Sequence, residues 1–155
     1  MATDVPLILD FIHQLARYEK APDQVEADEE RLRSTLFGPA PAAEVLLAFW
    51  DGEAAGFAVF FHNYSTWLAK RGLYLEDLFV RPQCRGRGIG AALLTELARL
   101  AVERDCGRME WSVLDWNDLA IGFYRSLGAV AMNEWTVYRV SGAALQSLAA
   151  GDSGR

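Results

Sequence analysis

Arg85-Gly86-Arg87-Gly88-Ile89-Gly90 lies between a β-prone segment and a long amphipathic one. In that context backbone N–H groups and the dipole of the following helix make an anion site. Glycines let the backbone approach phosphate oxygens without a Cβ in the way, and Arg85 and Arg87 can add charge-assisted hydrogen bonds. A pyrophosphate is the expected ligand. Gly86, Gly88 and Ala91 also satisfy the dinucleotide pattern G-x-G-x-x-A. In a dinucleotide fold, however, the first glycine follows its strand at once and an acid ends the next strand. Here Arg81 to Arg85 intervene, and Glu110 begins the next strand.

Two further groups have the right chemistry for proton transfer. Glu76 and Asp77 sit together near the end of a strand, and taken alone they read as solvated acids. Tyr124 follows Phe123 on a short helix, where a tyrosine alone reads as packing or surface. His13 and His62 have no second ligand near them in sequence, and no metal is expected. Cys84 adjoins the glycine-rich run and is assigned no role.

Composition narrows the setting. The chain has 155 residues, enough for one domain spanning 1–155, with 1–4 and 150–155 expected to fray. Its 52% hydrophobic content can fill one sizeable core. Fifteen Lys plus Arg against 21 Asp plus Glu leave a formal charge of -6, the wrong sign for a nucleic-acid surface and a better match for a cationic partner. Cys84 and Cys106 form neither a metal motif nor a disulfide framework, which suits a reducing, cytoplasmic setting. The apolar run Val5 to Ile12 is short, interrupted by Asp10 and lacks a preceding basic residue, so it is neither signal peptide nor membrane span.

The elements that must position these groups follow from periodicity. Leu7, Ile8, Phe11, Ile12 and Leu15 recur at helical spacing within residues 5–17, behind Asp4 as a cap. A second helix is expected at Glu29 to Phe37, ended by Gly38-Pro39. Glu44 to Trp50 and Ala55 to Asn63 read as an antiparallel pair joined at Asp51-Gly52-Glu53. Leu73 to Val80 is a third strand, stopped by Arg81-Pro82. A long helix then runs from Ile89 to about Arg104, followed by a strand at Met109 to Leu114 and a helix at Asp118 to Leu127 closed by Gly128. Ala129 to Val140 is expected to hold one or two last strands before a small-residue tail. This order predicts an α/β fold with a mixed, mostly antiparallel sheet flanked by helices.

Arg85-x-x-Gly88-x-Gly90 resembles the Gln/Arg-x-x-Gly-x-Gly/Ala signature of the GNAT superfamily of N-acetyltransferases. Trp116-Asn117-Asp118, with Ala120, Phe123-Tyr124 and Gly128, is similar to that family's second cofactor segment. Leu15-Ala16-Arg17-Tyr18-Glu19-Lys20, Asp23-Gln24-Val25 and Leu73-Tyr74-Leu75-Glu76-Asp77 extend the likeness to the diamine (spermidine/spermine and thialysine) acetyltransferases. The resemblance implies acetyl-coenzyme A as co-substrate and a homodimer. It implies that Leu78, Phe79 and Val80 offer a strand edge to the acetyl-pantetheine, that Gly86 to Ala91, including Arg87, Ile89 and Gly90, hold the phosphates, and that Asn117, Asp118, Leu119 and Ala120 also touch the cofactor. Tyr18, Glu19, Glu76 and the stretch Glu110, Trp111, Ser112 are implied to lie near the amine. Where the family has Tyr-Asp-Pro-Trp this chain has Tyr64-Ser65-Thr66-Trp67, so Ser65 replaces an acid that could meet a distal ammonium. The family's usual first strand is short or missing before Asp4.

The implied reaction is direct acetyl transfer to a primary amine of a small diamine, polyamine or lysine-like molecule. An alkyl ammonium, with a pKa of about 10.4, must lose a proton before it attacks a thioester. Glu76 is the expected base, directly or through water, with partial burial among Leu75, Leu78 and Phe79 raising its pKa. Asp77 is expected to face the other way unless a bulge intervenes. Tyr124 is the expected acid for the departing thiolate. An open, less acidic groove would instead suit a protein lysine or N-terminus. A loop kept without turnover would suit an acyl-coenzyme A sensor, against which the presence of both Glu76 and Tyr124 argues.

Overall fold

The computed structural model describes residues 1–151, and residues 152–155, part of the end expected to fray, lie outside them. The first apolar stripe folds as helix α1, Val5–Tyr18, with Pro6 in its first turn, where its missing N–H costs nothing. Ala2–Asp4, expected as a frayed end, forms a single 3-10 turn. Helix α2, Glu29–Phe37, starts where the Asp28 carboxylate accepts the Arg31 N–H at 2.8 Å, a side-chain N-cap.

Strands β1 (Glu44–Trp50) and β2 (Glu53–Ser65) pair antiparallel across a two-residue turn. Asp51 and Gly52 both have positive φ, 49° and 79°, the turn geometry that matches strand twist. Strand β3 (Lys70–Val80) pairs antiparallel with β2, and β4 (Met109–Trp111) pairs parallel with β3. The sheet order is β1-β2-β3-β4, mixed and mostly antiparallel as the sequence indicates. Helix α3, Ile89–Glu103, connects β3 to β4.

Both faces of the sheet are covered. Phe11 of α1 stacks on Phe57 at 5.2 Å between ring centroids and meets Phe79 edge-on at 6.3 Å, within a cluster that includes Ile8 and Leu15. Phe11 is fully buried, so truncating it to alanine is expected to cost about 3–5 kcal/mol. Ile89, Leu93, Leu94, Leu97 and Ala101 bury the apolar stripe of α3. The α3 end is tied to β1 by Arg104, which donates to both Glu44 carboxylate oxygens at 2.6 and 3.0 Å.

These elements lie in one compact unit, residues 1–112, and a second unit begins at Val113. The second contains α4 (Asp118–Ser126), followed by Gly128 at φ 87°, and α5 (Gly142–Ala149). Two expectations fail in this part of the chain. The strand from Met109 stops at Trp111, and residues 129–140 form no strand among the described residues. Trp135, Val137 and Tyr138 are exposed there, and no described strand pairs with them. High β propensity makes a strand only when a neighbouring edge supplies the ladder. The expected small-residue tail instead forms α5, whose Ala and Leu residues are strong helix formers.

Candidate active site

The register between β2 and β3 slips at the residues of greatest interest. Val59 lies opposite Asp77 and Phe60 opposite Leu75, which leaves Glu76 as the extra residue of a β-bulge. Paired residues share a face, and faces alternate along a strand. Asp77 therefore falls on the same face as Phe79 and Val59, the side packed by α1. Glu76 is exposed, so its expected burial among Leu75, Leu78 and Phe79 does not occur. The bulge is the one circumstance that suspends strict alternation, and it falls on this acid pair.

The desolvation expected at Glu76 lands on Asp77. Its pKa is raised from 3.8 to about 6, chiefly by burial and then by the negative charges of Glu76 and Glu19. Glu19 occupies the C-cap of α1, and burial raises its own pKa. Three carboxylates, Glu19, Glu76 and Asp77, thus interact where the end of α1 meets the bulge. An acid held as Asp77 is titrates near neutrality, as a proton acceptor should.

Beyond Leu75 the sheet opens. β3 remains paired with β2 up to Val80, but β4 pairs only with Leu73, Tyr74 and Leu75. From Glu76 through Leu78, Phe79 and Val80, one edge of β3 therefore has no strand partner among the described residues. Such an edge presents backbone N–H and C=O groups to an extended ligand. A 3-10 turn at Pro82–Cys84 then leads into the glycine-rich loop.

Gly86 and Gly88 have φ of 78° and 77°, a conformation that glycine adopts without strain, and a Cβ built on either meets no protein atom within 4 Å. Open space thus faces the backbone at both glycines. Gly88 is the N-cap of α3, with Ile89, Gly90 and Ala91 forming its first turn.

The two arginines of the loop behave differently. Arg85 donates Nε–H to the Val80 carbonyl at 3.0 Å, with its guanidinium over the rings of Tyr18 (4.9 Å) and Phe79 (5.6 Å). It fastens the loop to β3 and α1. The Arg87 guanidinium lies 5.3 Å from the Trp50 ring and has no carboxylate or carbonyl partner among the described residues.

The remaining candidates are held by local contacts. Tyr18 is partly exposed beside Glu19, under Arg85. Ser65 is buried, and its hydroxyl accepts the Leu68 N–H at 3.3 Å, so it serves the β2–β3 turn. Glu110 pairs with Arg108 at 3.0 Å, Ser112 shares a hydrogen bond of 3.0 Å with the Tyr74 hydroxyl, and Trp111 ends β4. In the second unit, the Asn117 side-chain oxygen accepts the Ala120 N–H at 3.3 Å and caps α4. Asp118 follows in the first turn, where an acid suits the helix dipole, and Leu119 is 87% exposed. Tyr124 packs its ring 5.8 Å from that of Phe123.

A cavity of about 230 Å³ lined by Pro41, Ala42, Ala43, Glu44, Phe61 and His62 contains none of these residues. Among the described residues no cluster of His, Cys, Asp and Glu could hold a metal, and no helix is long and apolar enough to cross a membrane. Sequence reasoning gave no role to Asp77 or to Trp50. The bulge that re-aims Asp77 is not encoded in any residue type, and Trp50 read only as the end of a strand.

A glycine-rich loop opening a long helix, beside a sheet that parts at an acidic bulge, defines an acyltransferase-like site. Residues 9–129 match the Acetyltransferase (GNAT) family. The chain is 39% identical over 153 residues to the thialysine N-epsilon-acetyltransferase of Bos taurus, covering 92% of this chain and 89% of that one. It is 35% identical over 191 residues to an L-ornithine N5-acetyltransferase of Arabidopsis thaliana, with 94% and 84% covered. An integron cassette protein from the mobile metagenome of V. cholerae superposes with a TM-score of 0.78 at 31% identity, covering 94% and 90% of the two chains. The chain belongs to the GNAT family and is an acetyltransferase, a class that uses acetyl-coenzyme A as co-substrate.

Proposed function

We propose that this acetyltransferase moves an acetyl group from acetyl-coenzyme A to the primary amine of a small diamine, polyamine or lysine-like molecule, by direct transfer in a ternary complex. The observation that carries this reading is the group of Glu19, Glu76 and Asp77 at the bulge, next to the open edge of β3. Carboxylates there attract a cationic amine and can take its proton. The names of two relatives, a thialysine and an ornithine acetyltransferase, support the same substrate class.

The residues of the loop fit the co-substrate. Open space at Gly86 and Gly88 suits phosphate oxygens bonded by backbone N–H groups, and Arg87 supplies a cation without an acidic partner. The edge from Leu78 to Val80 would bond the pantetheine amide, with Val80 sharing its carbonyl with Arg85. Glu76, exposed at the bulge, accepts the ammonium proton directly or through water, and Asp77 beside it accepts or holds charge as pH varies. The freed nitrogen attacks the thioester carbonyl, the carbon–sulfur bond breaks, and the Tyr124 phenol protonates the thiolate, regaining a proton through solvent as the nitrogen gives up its second one to become the amide. The role of Tyr124, like cofactor contacts at Asn117 to Ala120, rests on the family resemblance. So does a homodimer. A cytoplasmic setting is favoured by the free thiols Cys84 and Cys106.

The test is a thiol-release assay with acetyl-coenzyme A over putrescine, spermidine, thialysine, ornithine, lysine and a lysine-containing peptide. Turnover is expected with at least one small amine and should fall as salt screens the acids. If every small amine is inert while the peptide turns over, the substrate reading is wrong.

A further inference from the structure

We infer that Trp50 is a positioning residue for the anion site, its indole holding the Arg87 guanidinium on the glycine-rich loop where a phosphate of the co-substrate can meet it. The inference rests on the phosphate reading of that loop. Trp50 is the last residue of β1, just past a register shift between Ala48 and Phe49. Bulges re-aim the side chains that follow them. Trp50 remains 42% exposed, and the Arg87 guanidinium carbon lies 5.3 Å from its ring centroid, within cation–π range.

Arg87 has a ring contact and no acid partner among the described residues, whereas several other arginines are neutralised. Arg81 pairs with Asp10, Arg99 with Glu96 and Glu103, and Arg104 with Glu44. Glu53 stands opposite Trp50 in the strand register yet makes no ion pair with Arg87. In a chain with 21 acids and 15 bases, an arginine held by a ring is held without neutralising its charge. A carboxylate partner would consume N–H donors and cancel the field, whereas a ring face restricts the side chain and leaves the donors available to a phosphate. Arg85, two residues away, is already engaged by Val80 and by the rings of Tyr18 and Phe79. Arg87 is therefore the loop's free cation, and Trp50 sets where it points.

The experiment measures the affinity of coenzyme A and of pantetheine, which lacks the phosphates, by calorimetry on the wild type, Trp50→Leu, Trp50→Phe, Arg87→Ala and the double variant Trp50→Leu/Arg87→Ala. An exposed cation–π contact corresponds to about a two- to five-fold effect. Trp50→Leu should weaken coenzyme A by that factor, Trp50→Phe should restore most of it, and pantetheine affinity should not move. Adding Trp50→Leu to Arg87→Ala should cost nothing further. A loss in Arg87→Ala with none in Trp50→Leu, or an equal loss for pantetheine, would overturn the inference and leave the phosphate reading standing. Unchanged coenzyme A affinity in Arg87→Ala would remove the role of Arg87 in that reading and the inference with it.

Discussion

Replacing Asp77 by asparagine should stabilise the protein while impairing it. Burial and the charges of Glu76 and Glu19 raise the Asp77 pKa from 3.8 to about 6. At about 1.36 kcal/mol for each tenfold change in proton affinity, that rise is worth roughly 3 kcal/mol. The sign follows from linkage: a carboxyl whose folded pKa is raised binds protons more tightly in the folded state. Folding is then least burdened below pH 3.8, and the penalty grows until pH has climbed through about 6. The amide of Asp77→Asn keeps the shape and carries no charge, so the variant escapes this cost above pH 6. For a chain of this size a gain of up to about 3 kcal/mol raises the melting temperature by up to about 6–12 °C. Thermal unfolding should show that gain at pH 8 and a much smaller one at pH 4.5, while kcat/KM for a small amine falls about ten-fold or more. Equal melting temperatures of the two proteins at pH 8 would show that Asp77 is not desolvated and would refute the reasoning.

Glu76→Gln should lower turnover at pH 7 about 100-fold with partial recovery at high pH, where free amine accumulates, whereas Tyr124→Phe should bind coenzyme A normally and show no comparable alkaline rescue. Steady-state rates across pH with saturating amine check both, and near wild-type rates for Glu76→Gln would move the base to Asp77. Gly88→Val should abolish coenzyme A binding, because a branched side chain both strains a φ of 77° and fills the space facing the loop; calorimetry reads the loss. Asn117→Ala removes the cap of α4 and should destabilise the protein by about 1 kcal/mol in chemical denaturation.

The legible parts of this molecule are those where local rules and tertiary packing agree. The apolar stripe of α1, the Asp51-Gly52 turn, the Pro82 stop and the Gly128 closure each follow from a residue's own backbone limits or periodicity, and the structure places them accordingly. Residues 129–140 show the reverse. Their Val, Tyr and Trp residues state what could pair, and pairing depends on an edge the segment does not itself contain.

The bulge at Glu76 is harder to read, because a slip of one residue changes which side of a strand faces inward without changing composition at all. In a regular strand Leu73, Leu75, Asp77 and Phe79 would all share one face. The slip divides them. Leu73 and Leu75 lie opposite His62 and Phe60, on the side where the Arg104 guanidinium covers the Phe60 ring at the end of α3. Asp77 and Phe79 lie opposite Val59 and Phe57, on the side packed by α1. Because both faces are covered, Leu75 and Phe79 stay buried, at 2% and 5% exposure, although the bulge sets them on opposite sides. Apolar residues therefore carry no trace of the slip, and only the acids do. Glu76, the extra residue, is left to solvent, while Asp77 is drawn under the end of α1. The irregularity that breaks the strand pattern is thus what gives two neighbouring carboxylates different environments.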